Sequence, residues 1–157
     1  MDVPDEMIAT LRSATTDVFE RMVFKQVEPL ALLDAQPPRR ERSHVVASVG
    51  FAGVRNGAVA FSADTDAAQA IAGAMLGMPP AEVNGEMPDA IGEIANMIAG
   101  TFRTQMANVG SPCTITMPTV TVGSDFITRY VDQVSRVVCP FDMDGRTIYV
   151  ELVLNSK

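Results

Sequence analysis

A chain of 157 residues, 47% of them hydrophobic, is long enough to bury one sizeable core and is read as a single domain over 1–157. Its formal net charge of −7 disfavours nucleic acid as a partner, because neutralising phosphates needs concentrated Lys and Arg. No apolar run approaches the roughly 18 residues of a membrane span, and the acidic start Met1-Asp-Val-Pro-Asp-Glu6 lacks the basic segment of a signal peptide, so no membrane association and a cytoplasmic location are expected.

Residues Asp5 to about Gln26 read as an amphipathic helix, with Ile8, Leu11, Val18, Phe19 and Met22 on one face. The proline-rich text around Gln36-Pro-Pro-Arg39 breaks that pattern. Val45 to Phe51 is a β-rich run, Arg55-Asn56-Gly57 supplies hairpin turn chemistry, and Ala58 to Ser62 is the return strand. Asp64 begins a small helix, Ala67 to Leu76, which Gly77 and Pro79-Pro80 terminate. A long helix starts near Pro88, whose missing N–H costs nothing in a first turn, and Asp89 suits the positive end of its dipole. It runs to about Asn108, before Gly110 and Pro112. Strands are expected at Cys113–Met117, Val131–Phe141 and Thr147–Leu154, the last two joined by a turn at Asp142-Met-Asp144-Gly145. Asp-x-Asp-Gly is also a fragment of a calcium loop, but the rest of that ligand set is missing.

Each half of this order is led by a long helix, which has the look of a weak internal duplication. Strand runs with helices to one side imply an α+β fold with a largely antiparallel sheet. Its second face would be left open to solvent or a partner. Cys113 and Cys139 sit in apolar strand-like text and, with the distant His44, give no metal-ligand spacing and no Ser-His or Cys-His pair. All three are read as structural. The basic cluster Pro37-Pro-Arg39-Arg40-Glu-Arg42 is interrupted by Glu41 and is read as a solvated connector.

The central helix carries the chemistry. At roughly 100° per residue, Ile91, Ile94, Ile98 and Phe102 fall on one side, and Asp89, Glu93, Asn96 and Arg103 fall on the other, with Gly92 and Gly100 beside them. An acid and a carboxamide three residues apart are surface neighbours. A helix-interior Gly costs about 1 kcal/mol relative to Ala, so two of them on this face are read as space cleared for an approaching molecule. A solvated face carries Glu-x-x-Asn by chance as well, and spacing alone leaves both readings open.

Asp89-x-x-x-Glu93-x-x-Asn96, with Pro118 22 positions on, resembles the signature of the CheC/CheX/FliY family of chemotaxis phosphatases. Supporting text spans most of the chain: Asp17-Val-Phe-Glu-Arg-Met22, the hairpin Gly53 to Ser62, and the small-residue helix Ala67 to Gly77. It is most similar to the single-site CheX branch. The resemblance implies a CheC-like fold, and as substrate the phosphorylated aspartate of a CheY-like response regulator. It also implies that Asn96 orients the attacking water and that Glu93 pairs with the partner's lysine. Asp89, Gly92, Gly100 and Arg103 would border the docked partner, and Pro118 would keep the face accessible. No cofactor of its own is implied, since Mg²⁺ comes with the regulator, and a homodimer is expected.

The duplication offers an internal check. The first helix repeats the spacing with Ser13, Asp17 and Glu20, but an ionised carboxylate at the third position cannot donate a hydrogen bond and would repel a phosphoryl anion. One site per chain follows. Two other readings remain open: a non-catalytic binding module for a phosphorylated regulator, akin to flagellar switch proteins, and a homodimeric scaffold with its Glu/Asn face covered.

Overall fold

The computed structural model describes residues 3–33, 40–41, 44–124, 126–128, 130 and 133–155. Helix α1 (Asp5–Val18) opens with Asp5 and Glu6 at the positive end of its dipole and continues as a π-helical stretch over Phe19–Val23. Periodicity had carried one regular helix to about Gln26. Phe19 and Val23 are both buried within that π-helical stretch. Phe24 then ends the helix in a left-handed conformation at φ 60°.

The remaining elements follow in order: β1 (Glu28–Pro29), β2 (Arg40–Glu41), β3 (His44–Gly53), β4 (Gly57–Asp64), α2 (Thr65–Leu76), a 3-10 turn (Pro80–Glu82), α3 (Met87–Asn108), β5 (Cys113–Ile115), β6 (Thr119–Gly123), β7 (Phe126–Ile127), β8 (Val134–Met143) and β9 (Arg146–Asn155). Local chemistry accounts for several boundaries. The Asp64 carboxylate accepts from Ala67 N–H at 2.7 Å and caps α2. The Asn56 side chain accepts from Gly53 N–H at 3.0 Å and closes the β3–β4 turn. Asp144 and Gly145 both have positive φ, the turn chemistry of a two-residue hairpin.

The main sheet has seven strands in the order β1-β8-β9-β4-β3-β5, with β6 also on β3, and every pairing is antiparallel. Two long hairpins, β3–β4 and β8–β9, therefore meet through β4 and β9 at its centre. A short second sheet pairs β2 with β7. Alternate residues on the four long strands (Val49, Phe61, Cys139, Val150 and Leu152 among them) are fully buried with the apolar faces of the helices. Phe19 packs on Phe61 at 5.9 Å and Phe51 on Phe102 at 5.7 Å between ring centroids. Ile91, Ile94, Ile98 and Phe102 of α3 are all buried, as their spacing requires.

Two points of the sequence reading need adjusting. β6 was not foreseen, although Thr119-Val-Thr-Val alternates. It takes a second register on β3 beyond β5. The outer face of the sheet is not simply open: Phe126, Thr128 and Tyr130 lie over Val46, Ser48, Ala60 and Ser62, enclosing about 200 Å³. Beneath them sits an ion pair, Arg136–Glu151 at 2.6 Å, with side chains only 5% and 10% exposed. The Arg136 guanidinium lies 5.2 Å from the Tyr130 ring centroid. Finally, the side chain of His44, the linker at Gln36-Pro-Pro-Arg39, most of the basic cluster at 37–42 and the expected strand start at Val131 fall outside the described residues.

Candidate active site

Pro88 sits at the start of α3, and Asp89 lies exposed in its first turn. One turn on, Glu93 is exposed, and Asn96 is half-buried beside it. Asn96 borders an open groove of about 480 Å³, whose other walls are Met97, Gly100, Thr101, Arg103, Thr104 and Ile115 of β5. Among the described residues Asn96 makes no side-chain hydrogen bond and Glu93 no ion pair, so neither group is committed to holding the fold together. A carboxamide offers both a donor and an acceptor at one point, which suits holding a water molecule. A free carboxylate one turn away suits holding a cation.

The structure separates the two glycines that spacing had put together. Gly92 is buried, and a Cβ built there would lie 2.9 Å from Cγ2 of Val120. Its missing side chain lets β6 lie close against α3, so internal packing accounts for it. Gly100 is half-exposed in the groove, and a Cβ there meets nothing within 4 Å. No contact within the chain asks for a glycine at that position.

Arg103 lies further along the same stripe, close enough to β5 that its charge partly opposes the burial that raises the Cys113 thiol above its ordinary value. Pro118 is half-buried on the link between β5 and β6. Thus Asn96, Gly100 and Arg103 share one groove with Glu93 and Asp89 in line on the same helix, while Gly92 serves the packing beneath. Sequence reading missed Ile115 and Thr104 as groove walls and Val120 as the reason for Gly92. The alternation in Thr119-Val-Thr-Val was the one available signal for the last.

The corresponding stretch of α1 is not equivalent. Glu20 falls in the π-helical segment, so Asp17 and Glu20 lack the α-helical relation of Glu93 and Asn96. The Asp17 carboxylate is also held by Arg21 at 2.6 Å. Among the described residues no group of three or more His, Cys, Asp or Glu side chains is placed to hold a metal ion, and no helix is long and apolar enough to cross a membrane.

Comparison with known proteins agrees with this architecture. The chain is similar to a chemotaxis protein CheX from Desulfovibrio desulfuricans at 26% identity, covering 96% of this chain and 99% of that one with a TM-score of 0.85. A CheX from Vibrio vulnificus matches at 23% identity, over 96% and 99% of the two chains, with a TM-score of 0.83. A Borrelia burgdorferi CheX, whose structure is a complex with CheY, BeF3 and Mg²⁺, shares the fold at 21% identity, over 95% and 97%, with a TM-score of 0.77. No curated protein matches the chain at a comparable level. The model of the family described as chemotaxis phosphatase CheX matches residues 45–142, more than half of the chain and the whole of the α3 site, and the protein belongs to that family of phosphatases.

Proposed function

We propose that this phosphatase hydrolyses the aspartyl phosphate of a CheY-like response regulator, with Asn96 orienting the attacking water and Glu93 docking a lysine of the partner. The observation that carries the assignment is the uncommitted Asn96 carboxamide at a groove, one turn from an uncommitted Glu93. The CheX–CheY complex from Borrelia burgdorferi supports the class of partner.

An aspartyl phosphate is a mixed anhydride. Water attacks phosphorus in line, the bond from phosphorus to the carboxylate oxygen breaks, and the products are a free aspartate carboxylate and inorganic phosphate. Catalysis of such a transfer is mostly positioning and electrostatics. The Asn96 side-chain oxygen accepts a hydrogen bond from the water, and holding it in line removes part of the entropic barrier. Glu93 pairs with a cation that already exists in the bound ground state. It therefore contributes to docking as well as to rate. Mg²⁺ is supplied by the regulator, and this chain provides no ligand to it.

The chain works as a single domain in the cytoplasm and forms a homodimer away from the Glu93/Asn96 face. Leu30, Leu32 and Leu33, all exposed along the β8 edge of the sheet, support an interface there. Sedimentation giving a monomer at micromolar concentration, or a dimer that covers Asn96, would overturn that part.

Steady-state release of phosphate from a phosphorylated regulator tests the mechanism. Asn96→Ala lowers kcat by roughly 10²-fold, the scale of losing one well-placed hydrogen-bonding group, with little change in complex formation. Asn96→Asp keeps the size and is also inactive, because it brings a negative charge to a phosphoryl anion. Glu93→Ala weakens binding and rate together. An Asn96→Ala enzyme as fast as the unmodified chain would remove the assignment.

A further inference from the structure

We propose that Met117 is the apolar anchor of the surface on which the phosphorylated regulator docks. This inference rests on the placement of Asn96 in the partner's active site. Met117 is 86% exposed, the most exposed large hydrophobic side chain among the described residues. A lone exposed hydrophobic residue is ordinary and asks for no explanation. Its location is what matters here.

Met117 lies on the short link from β5 to β6, and both ends of that link are fixed against the α3 site. Ile115 lines the groove together with Asn96. Val120 packs over Gly92, the residue before Glu93. The chain between them therefore passes alongside the Glu93–Asn96 turn. Thr116 is clamped to β3 twice: its hydroxyl accepts from Gly50 N–H at 2.9 Å, and its own N–H donates to Gly50 C=O at 2.9 Å. Pro118 follows immediately and is half-buried. Between a clamped threonine and a seated proline, the Met117 side chain projects away from the protein.

A protein partner that covers the Asn96 groove and extends past Ile115 also meets this side chain. A standard interface covers roughly 800 Å² on each partner, which as a disc centred on Asn96 reaches about 16 Å outward. Met117 is two residues from Ile115, which lines the same groove as Asn96, so the Cα atoms of Ile115 and Met117 are within about 7 Å of each other. The occupant is the regulator itself, presenting an apolar patch next to its phosphorylated pocket. An unbranched, polarisable thioether can follow such a patch without a preformed cavity. Gly100 is the other half of the fit: it leaves the groove floor bare where the partner approaches, while Met117 stands up at the rim.

The test is steady-state dephosphorylation, paired with direct binding of the full chain to a regulator loaded with beryllofluoride. Met117→Ala raises KM and weakens binding by about 10-fold, the scale of a central apolar anchor, with kcat within about 2-fold. Met117→Leu restores both. Leu33→Ala, on the opposite edge of the sheet, changes neither. Met117 is exposed, so its removal leaves the melting temperature unchanged and loss of folding cannot mimic the effect. The inference is overturned if Met117→Ala binds as tightly as the unmodified chain, or if Leu33→Ala weakens binding equally. The two assignments fail separately. A silent Met117→Ala beside an inactive Asn96→Ala removes the anchor alone. Weakened binding by Met117→Ala beside a fully active Asn96→Ala keeps the docking surface and removes the water-orienting role.

Discussion

Replacing Gly100 by alanine separates what the groove does from what the fold needs. Gly100 stands in the interior of α3, where glycine costs about 0.5–1 kcal/mol relative to alanine through backbone entropy. A Cβ built on its backbone meets no atom within 4 Å, so no steric term opposes the gain. Gly100→Ala is therefore expected to stabilise the chain. At this size a change of 1 kcal/mol moves the melting temperature by about 2–4 °C, so a rise of about 1–4 °C follows. Gly100 lies four residues after Asn96, about 6 Å along the helix axis on the same face. A methyl group there holds a docked regulator away from the groove floor. A misplacement of about 1 Å can cost on the order of 10²-fold in rate, so kcat/KM for the phosphorylated regulator is expected to fall by at least 10-fold while stability rises. Scanning calorimetry and phosphate release on the same preparation read both. If the melting temperature rises and kcat/KM stays put, the partner does not approach over Gly100. If the melting temperature falls, the position is not as open as described.

Gly92→Ala should behave in the opposite way: its Cβ would sit 2.9 Å from Cγ2 of Val120, so the helix-propensity gain is cancelled and β6 is displaced. Calorimetry should show no stabilisation, and phosphate release should slow unless Val120→Ala is added. Glu151→Gln removes one carboxylate partner from the buried Arg136 on the outer sheet face, and urea unfolding should show a loss of stability. Burial, reinforced by the Glu151 charge and opposed by Arg136, raises the Tyr130 phenol from 10.0 to about 12. The fold thus favours the neutral phenol: this contribution is intact below pH 10 and is lost as pH rises towards 12. The unfolding free energy from urea titrations between pH 9 and 11.5 should fall less steeply in Tyr130→Phe, by an amount on the order of 2 kcal/mol at the alkaline end. Glu20→Gln should leave phosphate release unchanged, since Asp17 is held by Arg21 and Glu20 lies in the π-helical stretch.

The sequence by itself determined whatever depends on neighbours three or four residues apart. The buried stripe Ile91, Ile94, Ile98 and Phe102 follows from helical periodicity, and so does the line of Asp89, Glu93, Asn96, Gly100 and Arg103 opposite it. The Asp64 cap, the turns at Asn56 and Asp144-Gly145, and the strands they join are equally local, because capping and turn chemistry act within a few residues. Tertiary structure decided everything that joins distant parts of the chain. It gave Gly92 and Gly100 different surroundings, because Val120, 28 residues beyond Gly92, lies over one and not the other. It placed Ile115 in the wall of the Asn96 groove, where the register of β5 on β3 carries it. It brought Arg136 and Glu151 together on the outer face through the β8–β9 pairing, and it turned the end of the first helix into a π-helical stretch at Phe19–Val23. Periodicity says which way a side chain faces. What it faces depends on strand register and close packing, which no local pattern encodes.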